Sequence, residues 1–245
     1  MSFIISLYVQ EGIVMASDSR LTLTHTEQRG NQQVQISVPQ SDANYKTFLA
    51  PGNIGISTYG AADIQGVPIS GYIDSFITEK FSGPAVDVNA VPKLLIDYFR
   101  SLPLVPDTGF HVAGYSKKNG KLIPHLWRLI LINGTWTEIN KPGDQGAAWE
   151  GENDVMTRLI QPVSLMGPDG SATPLPPSVI NWQFFTLQDA IDFAIYAVKT
   201  TRDTMRFQTR LKTVGGPIDV LVIKPDRAFW VQRKELHAED NVLSF

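Results

Sequence analysis

The hydrophobic pattern of this 245-residue chain switches repeatedly between strand-like and helical spacing, and these switches constrain its fold more than any other feature. Four strand-like apolar runs lie within the first sixty residues, and residues 69–77 and 88–102 then repeat apolar side chains at helical spacing. Strand-like runs return over 109–139. Thr186 and Asp189 are spaced as a capping box, which predicts a helix that is followed by closing strands. The pattern predicts an α+β fold.

Blocks of strands separated by helices suit two packed antiparallel sheets with helices outside each, which is a four-layer αββα sandwich. No linker or shift in composition divides the chain, so we expect a single domain over residues 1–245. The first two apolar runs, 2–9 and 12–17, predict a hairpin because a short loop containing glycine separates them. Residues 21–43 are polar with weak alternation, which fits either an exposed hairpin or an elaborated loop.

Charge and composition exclude several classes of protein. Lys and Arg number 21 against 24 Asp and Glu, without a run of like charges, so the basic surface of a nucleic-acid-binding protein is missing. The absence of cysteine excludes a disulfide framework and thiolate chemistry. The histidines show no ligand spacing, so we expect neither a metal nor a cofactor; they are His25, His111, His125 and His237. With no basic leader and no long apolar run, we expect a cytoplasmic protein without membrane contact.

Residue 2 is a candidate nucleophile. Ser2 is small, so methionine aminopeptidase is expected to remove Met1 and expose an α-amine with a pKa of about 7.7–8.0. Such an amine takes up the proton of its own hydroxyl, usually through a water molecule. Serine is common after an initiator methionine, so further support is needed. Asp18 and Arg20 end an apolar strand, where charges are costly unless paired or used, which fits a salt-bridged strand end or a site.

Several spacings together resemble the proteasome β-subunit family of N-terminal nucleophile hydrolases. Asp18 lies sixteen residues after Ser2 in an Ala-Ser-Asp-Ser-Arg segment, and Gly60 lies fourteen residues after Lys46, which opens a later strand. The segment 214–223, Val-Gly-Gly-Pro-Ile-Asp-Val-Leu-Val-Ile, resembles the closing Gly-Gly strand of the family. The resemblance therefore spans most of the chain, and in length the chain is nearer to the bacterial Anbu-like branch.

This resemblance implies the N-terminal nucleophile hydrolase fold and an amide-bond hydrolase, a self-compartmentalised peptidase that forms an acyl-enzyme at its first residue. The implied roles are Ser2 as the nucleophile, Lys46 as the ammonium that lowers its proton affinity, Asp18 as the partner that orients Lys46, and the backbone N–H of Gly60 as the oxyanion donor, with Ser19 and Arg20 as candidate supporting residues. Expected partners are a peptide or protein substrate, further copies of the chain and an unidentified unfoldase.

The sequence also departs from the family pattern. Serine replaces threonine at the nucleophile, and Leu211 and Val214 stand where the family has Asp-x-x-Ser before the Gly-Gly pair. The family's Gly-Ser-Gly aligns with Glu150-Gly-Glu152. Two alternatives therefore stay open, namely a proteasome-like structural subunit without turnover and an N-terminal nucleophile hydrolase of small amides.

Overall fold

The structure is a computed structural model that describes residues 2–30, 32–140, 144–176 and 179–235. Its helices are α1 (Ile69–Lys80), α2 (Val91–Arg100), α3 (Asp154–Ile160) and α4 (Leu187–Arg206). Its strands are β1 (Phe3–Val9), β2 (Gly12–Ser17), β3 (Leu21–Arg29), β4 (Gln32–Ser41), β5 (Thr47–Ala50), β6 (Ile54–Gly60), β7 (Asp63–Ile64), β8 (Val67–Pro68), β9 (Thr108–Lys118), β10 (Lys121–Ile130), β11 (Thr135–Glu138), β12 (Gly146–Gly151), β13 (Ser164–Met166), β14 (Ala172–Pro174), β15 (Asp219–Ile223) and β16 (Ala228–Gln232).

Two antiparallel sheets dominate the described part of the chain. The first sheet has the order β12-β1-β2-β15-β16, and the second has the order β11-β10-β9-β6-β5. In the first sheet Ile4 pairs with both Ser17 and Glu150, so the start of β1 lies beside the end of β2 and the end of β12. The expected opening hairpin of β1 and β2 is confirmed. Strand β12 was not anticipated from the sequence.

Each main sheet packs its own helices. Phe76 of α1 and Phe99 of α2 belong to a buried cluster that includes side chains of the second sheet. Ala194 of α4 belongs to another cluster, which includes side chains of β1, β2 and β15. A third cluster joins the two sheets to each other, with Met15 from the first and Leu126 from the second. The result is a mixed α/β fold built on antiparallel sheets, as the α+β pattern predicted.

The apolar stripes of α1 and α2 are used inside this chain. Ile69, Ile73, Leu95 and Ile96 are all buried in the cluster that these helices share with the second sheet. The helical spacing over 69–77 and 88–102, together with the resemblance, also predicts an apolar face shared between copies of the chain. These apolar residues are covered by this chain's own sheet, so contacts between copies would use other surfaces, and the homo-oligomer itself stays a prediction.

Residues 21–43 contain a long hairpin outside the main sheets. Strands β3 and β4 pair antiparallel, with Leu21 opposite Ser41 and a register shift between Leu21 and Thr22. Of the two interpretations left open for this segment, the structure has the hairpin. Among the described residues, no helix combines the length and apolar character needed to cross a membrane.

Candidate active site

The end of β2 delivers a buried carboxylate to the edge where the two main sheets meet. Asp18 is 1% exposed, and its two oxygens share four hydrogen bonds from described residues. Oδ1 accepts from Lys46 Nζ at 2.7 Å and from the backbone N–H of Phe3 at 3.0 Å. Oδ2 accepts from the backbone N–H groups of Arg20 at 3.1 Å and Gly215 at 3.0 Å. These bonds offset the cost of burying the charge.

Lys46 lies directly before β5 and is buried with its partner. Its side chain is 3% exposed and forms the expected ion pair with Asp18. Burial lowers the pKa of Lys46 below its ordinary value, and the attraction and hydrogen bond of Asp18 oppose that decrease. The ammonium is therefore held in place by its carboxylate and destabilised by its surroundings.

Ser2 and Lys46 line the same small cavity. Thr58 and Ala62, from β6 and the loop after it, form part of its wall. Ser2 is 7% exposed, and its carbonyl accepts a hydrogen bond of 2.8 Å from the backbone N–H of Glu152. The N–H of Phe3 is bonded to Asp18, so both polar groups of the Ser2–Phe3 peptide bond are held by hydrogen bonds. Met1 lies outside the described residues, so its expected removal stays a prediction.

Gly60 ends β6 in a conformation that excludes other residues. Its φ is +102°, and an added Cβ would collide with the carbonyl oxygen of Asp107. Gly60 and Gly151 line an open cavity of about 360 Å³. Tyr59 forms part of the wall of this cavity and of the Ser2 cavity. Burial raises the pKa of Tyr59 to about 12, so its phenol is neutral at pH 7.

The two candidate supporting residues tie the end of β2 to neighbouring segments. The Ser19 hydroxyl donates to the carbonyl of Pro217 at 2.7 Å. The Arg20 guanidinium donates to both carboxylate oxygens of Asp42, at 2.6 and 2.7 Å, and to the carbonyl of Lys212 at 3.1 Å. Ser19 and Arg20 thus connect the site to the segment before β15, and Arg20 also connects it to the end of the β3–β4 hairpin.

A polar network next to Ser2 was not identified from the sequence. The Thr213 hydroxyl donates to Glu152 Oε1 at 2.6 Å, while Arg210 reaches Glu152 at 3.3 Å and Asp154 at 3.0 Å. Glu152 is also the residue whose backbone N–H binds the Ser2 carbonyl. The alignment of Glu150-Gly-Glu152 with the family's Gly-Ser-Gly was the one sequence signal for Glu152. It did not show that Thr213 is the partner of Glu152.

A second buried ion pair was also missed. Asp219 of β15 lies opposite Ser17, and its carboxylate pairs with the ammonium of Lys234. Their side chains are 0% and 4% exposed. The sequence around Lys234, Gln-Arg-Lys-Glu, gives no sign of burial because such charged runs usually face water.

His111 and His125 are not among the residues that line the Ser2 cavity. His111 is fully buried and shares a 2.9 Å hydrogen bond through Nδ1 with the Ser6 hydroxyl, and burial lowers its pKa to about 3. His125 contacts Ser116 and Glu138 through its two ring nitrogens. The backbone of His25 lies in β3, and His237 is outside the described residues. Within the described ranges, no three His, Asp or Glu residues are grouped as a metal site would need.

Comparison with solved structures supports the resemblance drawn from the sequence at the level of the fold. Anbu from Hyphomicrobium sp. strain MC1 matches with a TM-score of 0.58 and 15% identity, over 95% of this chain and 88% of that one. Anbu, an ancestral beta-subunit, from Yersinia bercovieri matches with a TM-score of 0.57 and 14% identity over the same shares. No family model matches the sequence, and no curated protein does. At this identity the likeness establishes the fold, and the site must be argued from its own geometry.

Proposed function

We propose that this chain is an amide-bond hydrolase of the N-terminal nucleophile type, with Ser2 as its nucleophile after removal of Met1. The observation that carries the proposal is the shared cavity of Ser2 and Lys46, behind which Lys46 is paired with the buried Asp18. Burying two charges at a strand end costs roughly several kcal/mol of desolvation, and the pairing offsets that cost. A catalytic role explains why such a buried pair is present. The fold around it is proposed to be one domain, a four-layer αββα sandwich over residues 1–245.

The proposed reaction proceeds through an acyl-enzyme. The Ser2 hydroxyl oxygen attacks the carbonyl carbon of the scissile amide, and its proton passes to the α-amine of Ser2 through a water molecule. Lys46, charged through its pair with Asp18, lowers the proton affinity of the hydroxyl. The N–H of Gly60 donates to the developing oxyanion. The C–N bond then breaks, the amine product leaves with the transferred proton, and water hydrolyses the ester to regenerate Ser2.

In this proposal Glu152 and Thr213 take over the support of the terminal amine. The family pattern places Asp-x-x-Ser next to the Gly-Gly pair, and this chain has Leu211 and Val214 there. The Glu152 carboxylate accepts from the Thr213 hydroxyl, and the backbone N–H of Glu152 binds the Ser2 carbonyl, so we propose that this carboxylate reaches the terminal amine. A carboxylate in this position stabilises the ammonium that forms when the amine takes up the hydroxyl proton.

The proposed substrate is a peptide or protein, processed in a cytoplasmic, self-compartmentalised homo-oligomer that an unfoldase supplies. The open cavity next to Gly60 and Gly151 offers room for a substrate side chain beyond the small Ser2 cavity. Because the apolar faces of α1 and α2 are buried, contacts between copies would use other surfaces. The rival interpretation, a structural subunit without turnover, draws on the apolar side chains at Leu211 and Val214.

The test is performed on protein whose intact mass shows that Met1 has been removed. We expect an acylating β-lactone probe to add one mass equivalent to Ser2 and fluorogenic peptides to be hydrolysed. Ser2→Ala should lose both labelling and turnover, by about 10³-fold or more, and Lys46→Ala should reduce turnover by about 10²–10⁴-fold. Ser82→Ala, at an exposed hydroxyl after α1, is the matched control and should leave both unchanged.

Processed protein that folds, resists the probe and hydrolyses no peptide would instead support the structural subunit. Retention of Met1 in active material would exclude Ser2 as the nucleophile. Turnover of small amides without turnover of peptides would favour the small-amide alternative.

A further inference from the structure

The Asp219–Lys234 pair lies next to the Asp18–Lys46 pair, where β2 ends and β15 begins. Asp219 is opposite Ser17, the residue before Asp18. The Asp219 carboxylate accepts from the backbone N–H of Lys234 at 2.8 Å through Oδ1, and it binds the Lys234 ammonium through Oδ2. Two buried ion pairs are therefore adjacent in the fold, although the sequence separates Lys46 from Lys234 by almost the whole chain.

Lys234 is also fastened to the residue before Lys46. Its Nζ lies 4.3 Å from the centre of the Tyr45 ring, and the Tyr45 hydroxyl donates to the Lys234 carbonyl at 3.3 Å. Arg233 stacks on the same ring, with its Cζ 4.9 Å from the ring centre. Cation–π contacts of this kind are strongest where water is excluded. The side chain of Tyr45, the residue before Lys46, is thus held by the segment that follows β16.

The charges around Lys46 oppose one another. Asp18 and Asp42 attract its ammonium, whereas Lys234 repels it, and burial is the largest of the influences that lower its pKa. The same burial lowers the pKa of Lys234, while Asp219 and Asp18 raise it. Each ammonium therefore feels its own carboxylate and the neighbouring pair.

We propose that Lys234 is a positioning residue for Lys46: together with Asp219 it fixes the Tyr45–Lys46 backbone and sets the electrostatic environment of the Lys46 ammonium. This inference rests on the proposed function, since that is where Lys46 receives its role. Lys234 itself is not among the residues that line the Ser2 cavity. It acts through Tyr45 and through the repulsion between two buried positive charges.

The test follows the titration of Lys46 by NMR in protein with isotope-labelled lysine side chains, a readout that does not depend on turnover. Lys234→Met alone would leave Asp219 buried and unpaired, so the test uses the double variant D219N/K234M, which removes both charges. We expect the Lys46 titration to move upward by at least about half a pH unit, because the repelling Lys234 ammonium is gone and Asp219 is not among the carboxylates that raise the pKa of Lys46. The falling, high-pH limb of any pH–rate profile, where Lys46 would lose its proton, should move in the same direction.

The matched control is D97N/K93M, which removes an exposed ion pair from α2 and should leave the Lys46 titration unchanged. Tyr45→Leu removes the ring and hydroxyl that bind Lys234 and covers the case in which the double variant fails to fold. It should shift the Lys46 titration in the same direction by a smaller amount, because water that replaces the ring weakens the repulsion between the two ammonium groups. An unchanged Lys46 titration in the folded variants overturns the inference, whereas a shifted titration in a protein without turnover overturns only the proposed function.

Discussion

Two ion pairs begin at the end of β2, two residues apart, and burial gives them opposite properties. The side chains of Asp18 and Lys46 are 1% and 3% exposed, whereas those of Arg20 and Asp42 are 22% and 47% exposed. In the exposed pair, the hydrogen bond is the largest influence. It raises the pKa of Arg20 and lowers that of Asp42, so each group keeps its charge over a wider range of pH. In the buried pair, desolvation dominates and lowers the pKa of Lys46.

The comparison shows that an ion pair is not one kind of interaction. Where water reaches the groups, the pair secures the position of a segment, here the end of the β3–β4 hairpin against the site. Where water is excluded, the same attraction only partly offsets the cost of desolvation. The buried arrangement leaves an ammonium that gives up its proton more readily than a surface lysine, and lowered pKa values of this kind are common at catalytic sites.

The largest expected difference between the two pairs is in stability. Asp18→Asn removes the charge that pairs with Lys46 and replaces one acceptor oxygen with an NH₂ group, so we expect a loss of about 3–5 kcal/mol in the free energy of unfolding. Asp42→Asn should cost at most about 1 kcal/mol because solvent screens the exposed pair. Urea unfolding of the two variants measures both values. Equal losses would show that burial does not separate the pairs.

The next prediction extends the comparison to a buried base without a counter-charge. The pKa of His111 is lowered to about 3 by burial, whereas an unfolded histidine titrates near 6.5. Between these values the unfolded chain binds the additional proton, so stability falls as the pH falls below about 6.5. By pH 4 the loss from this one group should reach about 3 kcal/mol, taking about 1.36 kcal/mol per pH unit.

His111→Gln is the control for this pH dependence, because a side-chain amide still reaches the Ser6 hydroxyl and does not titrate. The difference between wild type and variant, measured by chemical unfolding from pH 7 to pH 4, isolates the histidine from the carboxylates. Parallel pH profiles would mean that His111 takes up its proton in the folded state.

The smallest expected effect concerns salt. The coupling energy of Arg20 with Asp42 should be about 0.5 kcal/mol at low ionic strength and should largely disappear at 1 M NaCl, where the screening length is about 3 Å. The coupling of Asp18 with Lys46 should hardly change, because ions do not enter the buried site. Double-mutant cycles at the two salt concentrations test this contrast, and a salt-sensitive buried pair would indicate that water reaches Asp18.

Much of the framework could be predicted because local patterns encode it. Helical spacing located α1 and α2, and the Thr186–Asp189 capping box is present at the start of α4. The pairing of Asp18 with Lys46 was expected from spacings that resemble a family, since nothing local brings the two residues together. These successes concern residues whose neighbours in sequence, or whose spacing, already carry the signal.

The rest depends on contacts that no local pattern encodes. Strand β12, Gly-Ala-Ala-Trp-Glu-Gly, lacks β-branched residues and is a strand because it pairs with β1. Glu152 and Thr213 are sixty-one residues apart in the chain. Asp219 pairs with Lys234, which lies in a charged run on the other side of the β15–β16 hairpin. In each case the fold brings together residues whose local sequences give no sign of the partner.

The bond from Gly215 to Asp18 also has a consequence for the timing of synthesis. It closes a span of 197 residues, and β2 similarly waits for β15 as its second neighbour in the sheet. At about 5–20 residues per second, a ribosome needs roughly 10–40 s to make that span. Asp18 is therefore made long before Gly215 and acquires its complete surroundings only when that later segment has been synthesised. A nascent chain that stops before Gly215 lacks part of the site, so the proposed hydrolase would be silent until that segment has been made.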